Sequence, residues 1–340
     1  MSSEKKREEA KIFPHIGILG TGAWGTALAM VASHNGPATL WGRRHNVVCA
    51  INERHINPDY LPDISLPKSL HATDKLEDLK NVSAFLVAIP AQKMRSVLNL
   101  LPDDDRPLIL CAKGIEAHSG LLMSQLAAEI FPNRPIGLLS GPTFASEVAR
   151  NLPTAVTLAA KEASIRYGLM ERLAIPTFRP YASCDVIGAD VGGAIKNVLA
   201  IACGVVAGAE LGHNARAAII SRGFAEMTRL GIALGAKQET LTGLSGLGDL
   251  VLTCSSDLSR NFTFGKKLGQ GYSFEEQQKI KAVTTEGVFT APVLERLAAR
   301  LKVEMPLISA ICALIRGESL KSVVDAVLNR PLQDEYYAIA

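Results

Sequence analysis

The chain reads as an α/β protein, with a Rossmann-like, doubly wound N-terminal domain followed by an all-α C-terminal domain. Three observations predict this. Residues 15–29, HIGILGTGAWGTALA, join a short apolar run to three glycines and then to an amphipathic segment. Apolar runs then alternate with helical patterns, as a doubly wound sheet requires. Beyond Cys184 no segment carries a strand signature, so the second half is expected to be helical. The expected boundaries are a disordered tail over 1–12, a dinucleotide-binding domain over 13–184 and a helical substrate domain over 185–340.

The glycine stretch sets the organisation. Gly20, Gly22 and Gly25 have the G-x-G-x-x-G spacing, which answers three steric demands: a tight turn, backbone approach to a pyrophosphate, and close packing of helix on strand. The spacing alone is common. Its context is not, because Ile16, Ile18 and Leu19 form a buried-strand run before it, 27–32 a helix after it, and 38–41 a second strand. The helix beginning near Trp24 aims its free N–H groups at the phosphates. At the end of the second strand, where an acidic residue would favour NAD, stand Arg43 and Arg44. Either they meet a 2′-phosphate, which argues for NADPH, or they simply cap an exposed strand end. A helix over 47–54 and a loop over 57–67 containing Tyr60 follow.

Later strands are expected over 82–89, 108–112, 136–139, 154–160 and 177–181, with a helix over 162–173. Ligands of open α/β sheets lie beyond the carboxyl ends of the strands. Lys113, after the 108–112 run and before Gly114, occupies such a place, as does the turn holding Gly141, Thr143 and Ala145. Thr143 suits either a helix cap or a ligand contact.

Composition narrows the function. The 340 residues are 48% hydrophobic and carry a net charge of +3 spread along the chain, which excludes a disordered protein and does not suggest nucleic-acid binding. Six widely spaced cysteines without a C-x-x-C pair read as reduced core residues of a cytosolic protein. The polar N-terminus lacks the apolar region of a signal peptide. The run 186–206 approaches a membrane span in length, but Asp190, Lys196 and Asn197 near its middle favour a buried helix instead.

Lys196 is the principal catalytic candidate. It sits within GGAIKNVLA, where a lysine must snorkel, pair or work, and burial would lower its pKa toward neutrality. Asp249, after the glycine-rich turn TGLSGLG, is the natural partner to hold it. Ser259, Arg260 and Asn261 precede a helix over 262–268 and suit a phosphate; an ordinary N-cap with an exposed arginine is the alternative.

With these residues in hand, the sequence resembles the bacterial-type NAD(P)-dependent glycerol-3-phosphate dehydrogenases from the glycine loop to about residue 330. The resemblance is carried by GTGAWGTALA (20–29), AKGI (112–115), GPTFA (141–145), GAIKNVLAI (193–201), GLGDL (246–250), SRN (259–261) and TEG (285–287). It implies reversible reduction of dihydroxyacetone phosphate to sn-glycerol 3-phosphate, a cytoplasmic step toward phospholipids. It places proton transfer on Lys196, with Lys113, Gly141, Thr143, Asp249, Ser259, Arg260 and Asn261 around the substrate. The cofactor role falls on Ala23, Trp24, Arg43, Arg44, Tyr60, Ala145 and Glu286, shared by Lys113 and Arg260. NADPH is the expected cofactor, with NADH also possible, and no metal is expected. A homodimer is expected. Ala23 and Thr143 stand where the family often has serine, and Thr284-Thr285 replaces a more usual apolar pair. The rivals are a 3-hydroxyacid or 6-phosphogluconate dehydrogenase, which set their lysine in a different motif, and a non-catalytic dinucleotide sensor, which has no use for Lys113, Lys196 and Asp249 together.

Overall fold

The computed structural model describes residues 10–280, 285–332 and 334. Its first half is an eight-stranded sheet in the order β3-β2-β1-β4-β5-β6-β7-β8. The elements run β1 (Ile16–Leu19), α1 (Ala23–His34), β2 (Ala38–Trp41), α2 (His45–Arg54), β3 (His71–Thr73), β4 (Ala84–Val87), α3 (Met94–Leu98), β5 (Leu108–Leu110) and α4 (Met123–Ile130). They continue with β6 (Ile136–Ser140), α5 (Ala145–Ala149), β7 (Thr154–Ala160), α6 (Ala163–Leu173) and β8 (Phe178–Ser183). Strand side chains alternate between faces, so Ile16, Ile18 and Leu86 enter one core layer while Leu19, Phe85 and Val87 enter the other. Chain order reverses between β1 and β4, which pair Leu19 with Val87, so the glycine loop opens onto the switch-point crevice.

Three details depart from the sequence expectation. β3 has only three residues, one of them exposed, and lacks an apolar run long enough to announce it. β7 runs antiparallel to β6 and parallel to β8, so the doubly wound sheet has one reversed step. The expected tail is already engaged at its end, for Lys11 N donates to Ser164 O over 3.1 Å; residues 1–9 lie outside the described residues.

Among the described residues no strand follows β8. The second half comprises α7 (Val186–Gly208), α8 (Gly212–Ala233), α9 (Gln238–Leu241), a π-helical turn (Leu244–Gly248), α10 (Asp249–Ser255), α11 (Arg260–Gly269), α12 (Phe274–Ile280), α13 (Glu286–Leu301), α14 (Pro306–Ile315) and α15 (Leu320–Leu328). α7 is its axis. Asp185 caps it, accepting from Gly188 N at 2.9 Å and from Lys237 N at 2.8 Å. Its most apolar window is 89% buried, so a helix long enough to cross a membrane is here the core of a helical domain. α7 and α11 cross with glycine on both sides: a Cβ on Gly204 would lie 2.1 Å from Phe262 O, and one on Gly265 would lie 2.0 Å from Ile201 O. No other residue permits this approach, and the approach seats the start of α11 beside Lys196. The two halves interlock, because Val186 and Ala189 of α7 join a sheet layer while Ile115 and Leu122 join the helical core.

Candidate active site

The glycine loop meets its three steric demands. Gly20 has φ +114°, and a Cβ there would lie 2.6 Å from Ala88 O. A Cβ on Gly25 would come within 1.9 Å of Gly20 O, whereas one on Gly22 would meet nothing within 4 Å. The first and third glycines therefore build the loop, and the second leaves open space at the N-terminus of α1. No acidic side chain stands in the first turn of α1 and no side chain caps it. Trp24 Nε1 is buried with no hydrogen-bond partner. Ala23, Trp24 and Ala145 pack against the same core layer, which brings α5 alongside the loop. Asn57 secures the loop from outside, donating to Thr21 O at 2.9 Å and Thr26 Oγ1 at 2.8 Å. In sequence it resembles any turn former; its role arises from residues more than thirty positions away.

At the end of β2, Arg43 and Arg44 are both exposed. Arg44 ion-pairs with Asp59 and its guanidinium lies 5.1 Å from the centre of the Tyr60 ring. Arg43 makes no hydrogen bond or ion pair with another described residue, so its charge faces solvent.

The lysine centre joins both halves of the chain. Asp249, the first residue of α10, is fully buried, and each of its carboxylate oxygens takes one ammonium. Lys196 Nζ donates to Oδ1 at 2.7 Å and Lys113 Nζ donates to Oδ2 at 2.7 Å. Lys196 also donates to Thr253 Oγ1 at 2.7 Å, and Thr253 in turn donates to Asp249 O at 2.6 Å. Lys113 also donates to Gly141 O at 2.9 Å. An ammonium has three N–H donors, so each lysine retains one for a ligand. Burial pulls the pKa of Lys196 down to about 8; Lys113 pushes the same way, and Asp249 opposes both.

Beside this centre, Asn261 Nδ2 donates to Asn197 Oδ1 at 3.0 Å, and Asn261 Oδ1 accepts from Gly287 N at 3.0 Å. One amide thus links the helix of Lys196 to the helix of Glu286. Glu286 Oε2 is buried without a partner; burial raises the pKa of this carboxyl, against the attraction of Arg260. Ser259 caps α11, its Oγ accepting from Phe262 N at 3.2 Å, and Arg260 beside it is exposed, so the ordinary cap is present and the guanidinium remains available. Thr143 does not cap α5. Its hydroxyl turns back to Gly141 O at 3.2 Å, and Phe144 occupies the cap position. Thr284 lies outside the described residues, so the segment just before Thr285 has no structural account.

The family model described as NAD-dependent glycerol-3-phosphate dehydrogenase N-terminus matches residues 15–166, and its C-terminus counterpart matches residues 185–325. The chain belongs to the NAD-dependent glycerol-3-phosphate dehydrogenase family. A glycerol-3-phosphate dehydrogenase [NAD(P)+] of Zymomonas mobilis is 76% identical over 332 residues, covering 98% of each chain. That of Rhodospirillum rubrum is 50% identical, covering 96% of this chain and 95% of its own. A crystal structure of glycerol-3-phosphate dehydrogenase from Coxiella burnetii superposes with a TM-score of 0.88 at 38% identity, over 94% of this chain and 99% of that one.

The dehydrogenase fold presents features that fit a dinucleotide: the open face of Gly22, the uncapped start of α1, and the orphaned Trp24 N–H. No group of three or more metal-ligating side chains occurs among the described residues. The cysteines are only partly core residues. Cys111, Cys203, Cys254 and Cys312 are buried, but Cys184, between β8 and α7, is exposed, and Cys49 is half-buried although its neighbours Val47, Val48, Ala50 and Ile51 are apolar.

Proposed function

We propose that this chain reduces dihydroxyacetone phosphate reversibly to sn-glycerol 3-phosphate with NAD(P)H, NADPH being used at least as well as NADH. The observation that carries this reading is the Lys113–Asp249–Lys196 bridge, in which one carboxylate aligns two ammoniums and leaves each with a spare donor. A nicotinamide cofactor held in the switch-point crevice would supply hydride to the ketone carbon. Gly20, Gly22, Ala23, Trp24, Gly25 and Ala145 would hold its pyrophosphate end, Arg43, Arg44 and Tyr60 its adenosine end, and Glu286 the region between α13 and the lysines.

The proton follows from this chain's own groups. Lys196, with its pKa drawn to about 8, is mostly protonated at pH 7 and gives up a proton far more readily than a surface lysine. It therefore protonates the forming alkoxide in reduction and, as the free amine, accepts a proton in oxidation. Lys113 directs its remaining N–H at the substrate oxygen, and Asp249 fixes both lysines before substrate arrives. Two ammoniums and one carboxylate leave a net positive pocket. With Arg260 and the start of α11 added, it suits a phosphate dianion, with Ser259, Asn261, Gly141 and Thr143 completing the surround. A cytoplasmic homodimer supplying phospholipid synthesis is the setting expected from the sequence, and a domain boundary at 184/185 falls between β8 and α7.

The test is oxidation of NADPH followed by absorbance with dihydroxyacetone phosphate and with unphosphorylated dihydroxyacetone. Only the phosphorylated ketone should turn over well, and Arg260→Ala should cost roughly 2–5 kcal/mol in kcat/KM for it, the scale of losing one member of a charge pair that the bound phosphate would desolvate. Equal use of the two ketones removes the phosphate site from the proposal.

A further inference from the structure

A second chemical grouping lies outside the lysine centre, on the surface beside Arg43 and Arg44. His45 opens α2, and Cys49 stands one turn later on the same side. His45 Nε2 lies 3.4 Å from Cys49 Sγ, and His45 Nδ1 lies 2.7 Å from Asp74 Oδ2. The sheet holds Asp74 in place, since it directly follows Thr73, which pairs with Trp41 four residues before His45.

The order of these groups defines what they can do. A carboxylate only accepts, so Asp74 keeps the ring proton on Nδ1 and leaves the Nε2 lone pair facing the thiol. The His45 ring in turn holds the Asp74 carboxyl below its usual range. Thiol and carboxylate sit on opposite ring nitrogens and so do not converge on one point, which suits proton transfer and not a metal ion. Nucleophile, base and orienting carboxylate in line is the arrangement in which a thiol passes its proton to a neighbouring base as it attacks. Cys49 is half-buried, the His45 side chain is 78% exposed, and Arg43, two residues before His45, is exposed.

We propose that Cys49, His45 and Asp74 form a reactive-thiol relay at the adenosine edge of the cofactor cleft, and that it takes small anionic disulfides. The thiol proton passes to His45 Nε2, and Cys49 Sγ attacks one sulfur of the disulfide. A new S–S bond forms as the old one breaks, and the leaving thiolate departs with the electron pair and recovers the proton. The anionic group left on Cys49, carried by the helix that begins two residues after Arg43, then competes with the adenosine phosphate. That consequence rests on the cofactor placement proposed above; the thiol chemistry does not.

The probe is dithiobis(nitrobenzoate), an anionic aromatic disulfide, added in excess to the folded protein at pH 7 while the released thiolate is followed by absorbance. In a Cys184→Ser background, which removes the other exposed thiol, one fast thiol is expected, absent when Cys49→Ser is added. His45→Asn and Asp74→Asn should each slow it at least about tenfold with unchanged melting. This is below the full range for a general base because the imidazole is exposed to solvent. A fast phase that survives Cys49→Ser, or one that His45→Asn leaves at the parent rate, overturns the relay, the latter showing that exposure alone makes the thiol fast. In a second arm, NADPH is titrated by fluorescence against parent and Cys49-modified protein. The modified form should bind at least about fivefold more weakly, with recovery after dithiothreitol. Equal binding overturns the placement at the cleft edge, while failure of the unmodified protein to bind NADPH tells against the cofactor reading itself.

Discussion

Replacing Lys196 by methionine tests the mechanism most directly. The change keeps length and apolar character and deletes the proton. Lys196 Nζ makes two 2.7 Å hydrogen bonds, to Asp249 and Thr253, so their loss must be weighed first. Stranding a buried carboxylate costs about 3–5 kcal/mol, but Lys113 still holds the other oxygen at 2.7 Å, and the desolvation of Lys196 is relieved. A stability loss of at most about 2 kcal/mol is therefore expected, small enough for the variant to fold. Turnover should fall by roughly two to four powers of ten, the yield of general acid catalysis, while NADPH titrates by fluorescence as in the parent. Lys196→Arg should fail as well, since a guanidinium does not release its proton near neutrality. The parent supplies an independent check through pH. Because burial places Lys196 at about 8, kcat/KM for reduction should be level below that value and fall tenfold per unit above it. That for oxidation should rise up to the same pH and then level. A folded Met variant that binds NADPH and retains more than a tenth of parental turnover would refute the reasoning and transfer the acid role to Lys113.

Replacing Arg43 and Arg44 together by glutamine should raise KM for NADPH and leave that for NADH nearly unchanged; equal weakening of both would show that the arginines do not read the 2′-phosphate. Gly22→Ala should melt with the parent yet bind NADPH more weakly, because its Cβ meets only the open space proposed for the cofactor, whereas Gly25→Ala should not yield folded protein, its Cβ falling 1.9 Å from Gly20 O; parental NADPH affinity in the Gly22 variant would remove that glycine from the site. Glu226, buried and accepting from Leu307 N and Ile308 N at the start of α14, has its pKa raised from 4.5 to about 7 by burial. A folded-state pKa above the unfolded one means stability present below pH 4.5 and lost as pH rises through 7. Glu226→Gln should therefore reduce the difference between urea melts at pH 5 and pH 8 by about 2.5 kcal/mol.

The parts of this molecule legible in its sequence are those fixed by local steric or dielectric demands. The glycine spacing, the strand ends bearing Lys113 and Gly141, and a lysine alone in an apolar helix each state a need that neighbours must meet. Asp249 was legible for the same reason, since a buried ammonium requires a carboxylate. Features set by distant pairing were not. The reversal of β7 against β6 depends on which edge the strand joins, and nothing within 154–160 encodes direction. β3 owes its existence to β2, and Asn57 its role to Thr21 and Thr26. Thr253 lies one helical turn beyond Asp249, a spacing that places its hydroxyl beside the carboxylate. The alignment of Cys49 with His45 was visible as i and i+4, but Asp74, which orients the ring, comes from another strand.

The charge arrangement at the lysine centre explains why three elements so far apart in sequence meet there. The buried ammonium of Lys196 and the partly buried one of Lys113 repel, and Lys196 is not tolerable in this position without an acceptor. Asp249 offers one oxygen to each, bridging a lysine 136 residues before it and another 53 before it. Lys113 comes from the sheet and Lys196 from α7, so the bridge exists only when the two halves are docked. Lys113 reaches it past Gly193, where an added Cβ would lie 3.1 Å from its Cγ. The π-helical turn before α10 brings Asp249 inward at the first residue of that helix. Because the carboxylate and the Gly141 and Thr253 oxygens consume two donors on each ammonium, the unspent N–H of each lysine has few directions left to point. Orientation is thus settled by folding and not by substrate, which is the condition for electrostatic stabilisation without reorganisation at the moment of reaction.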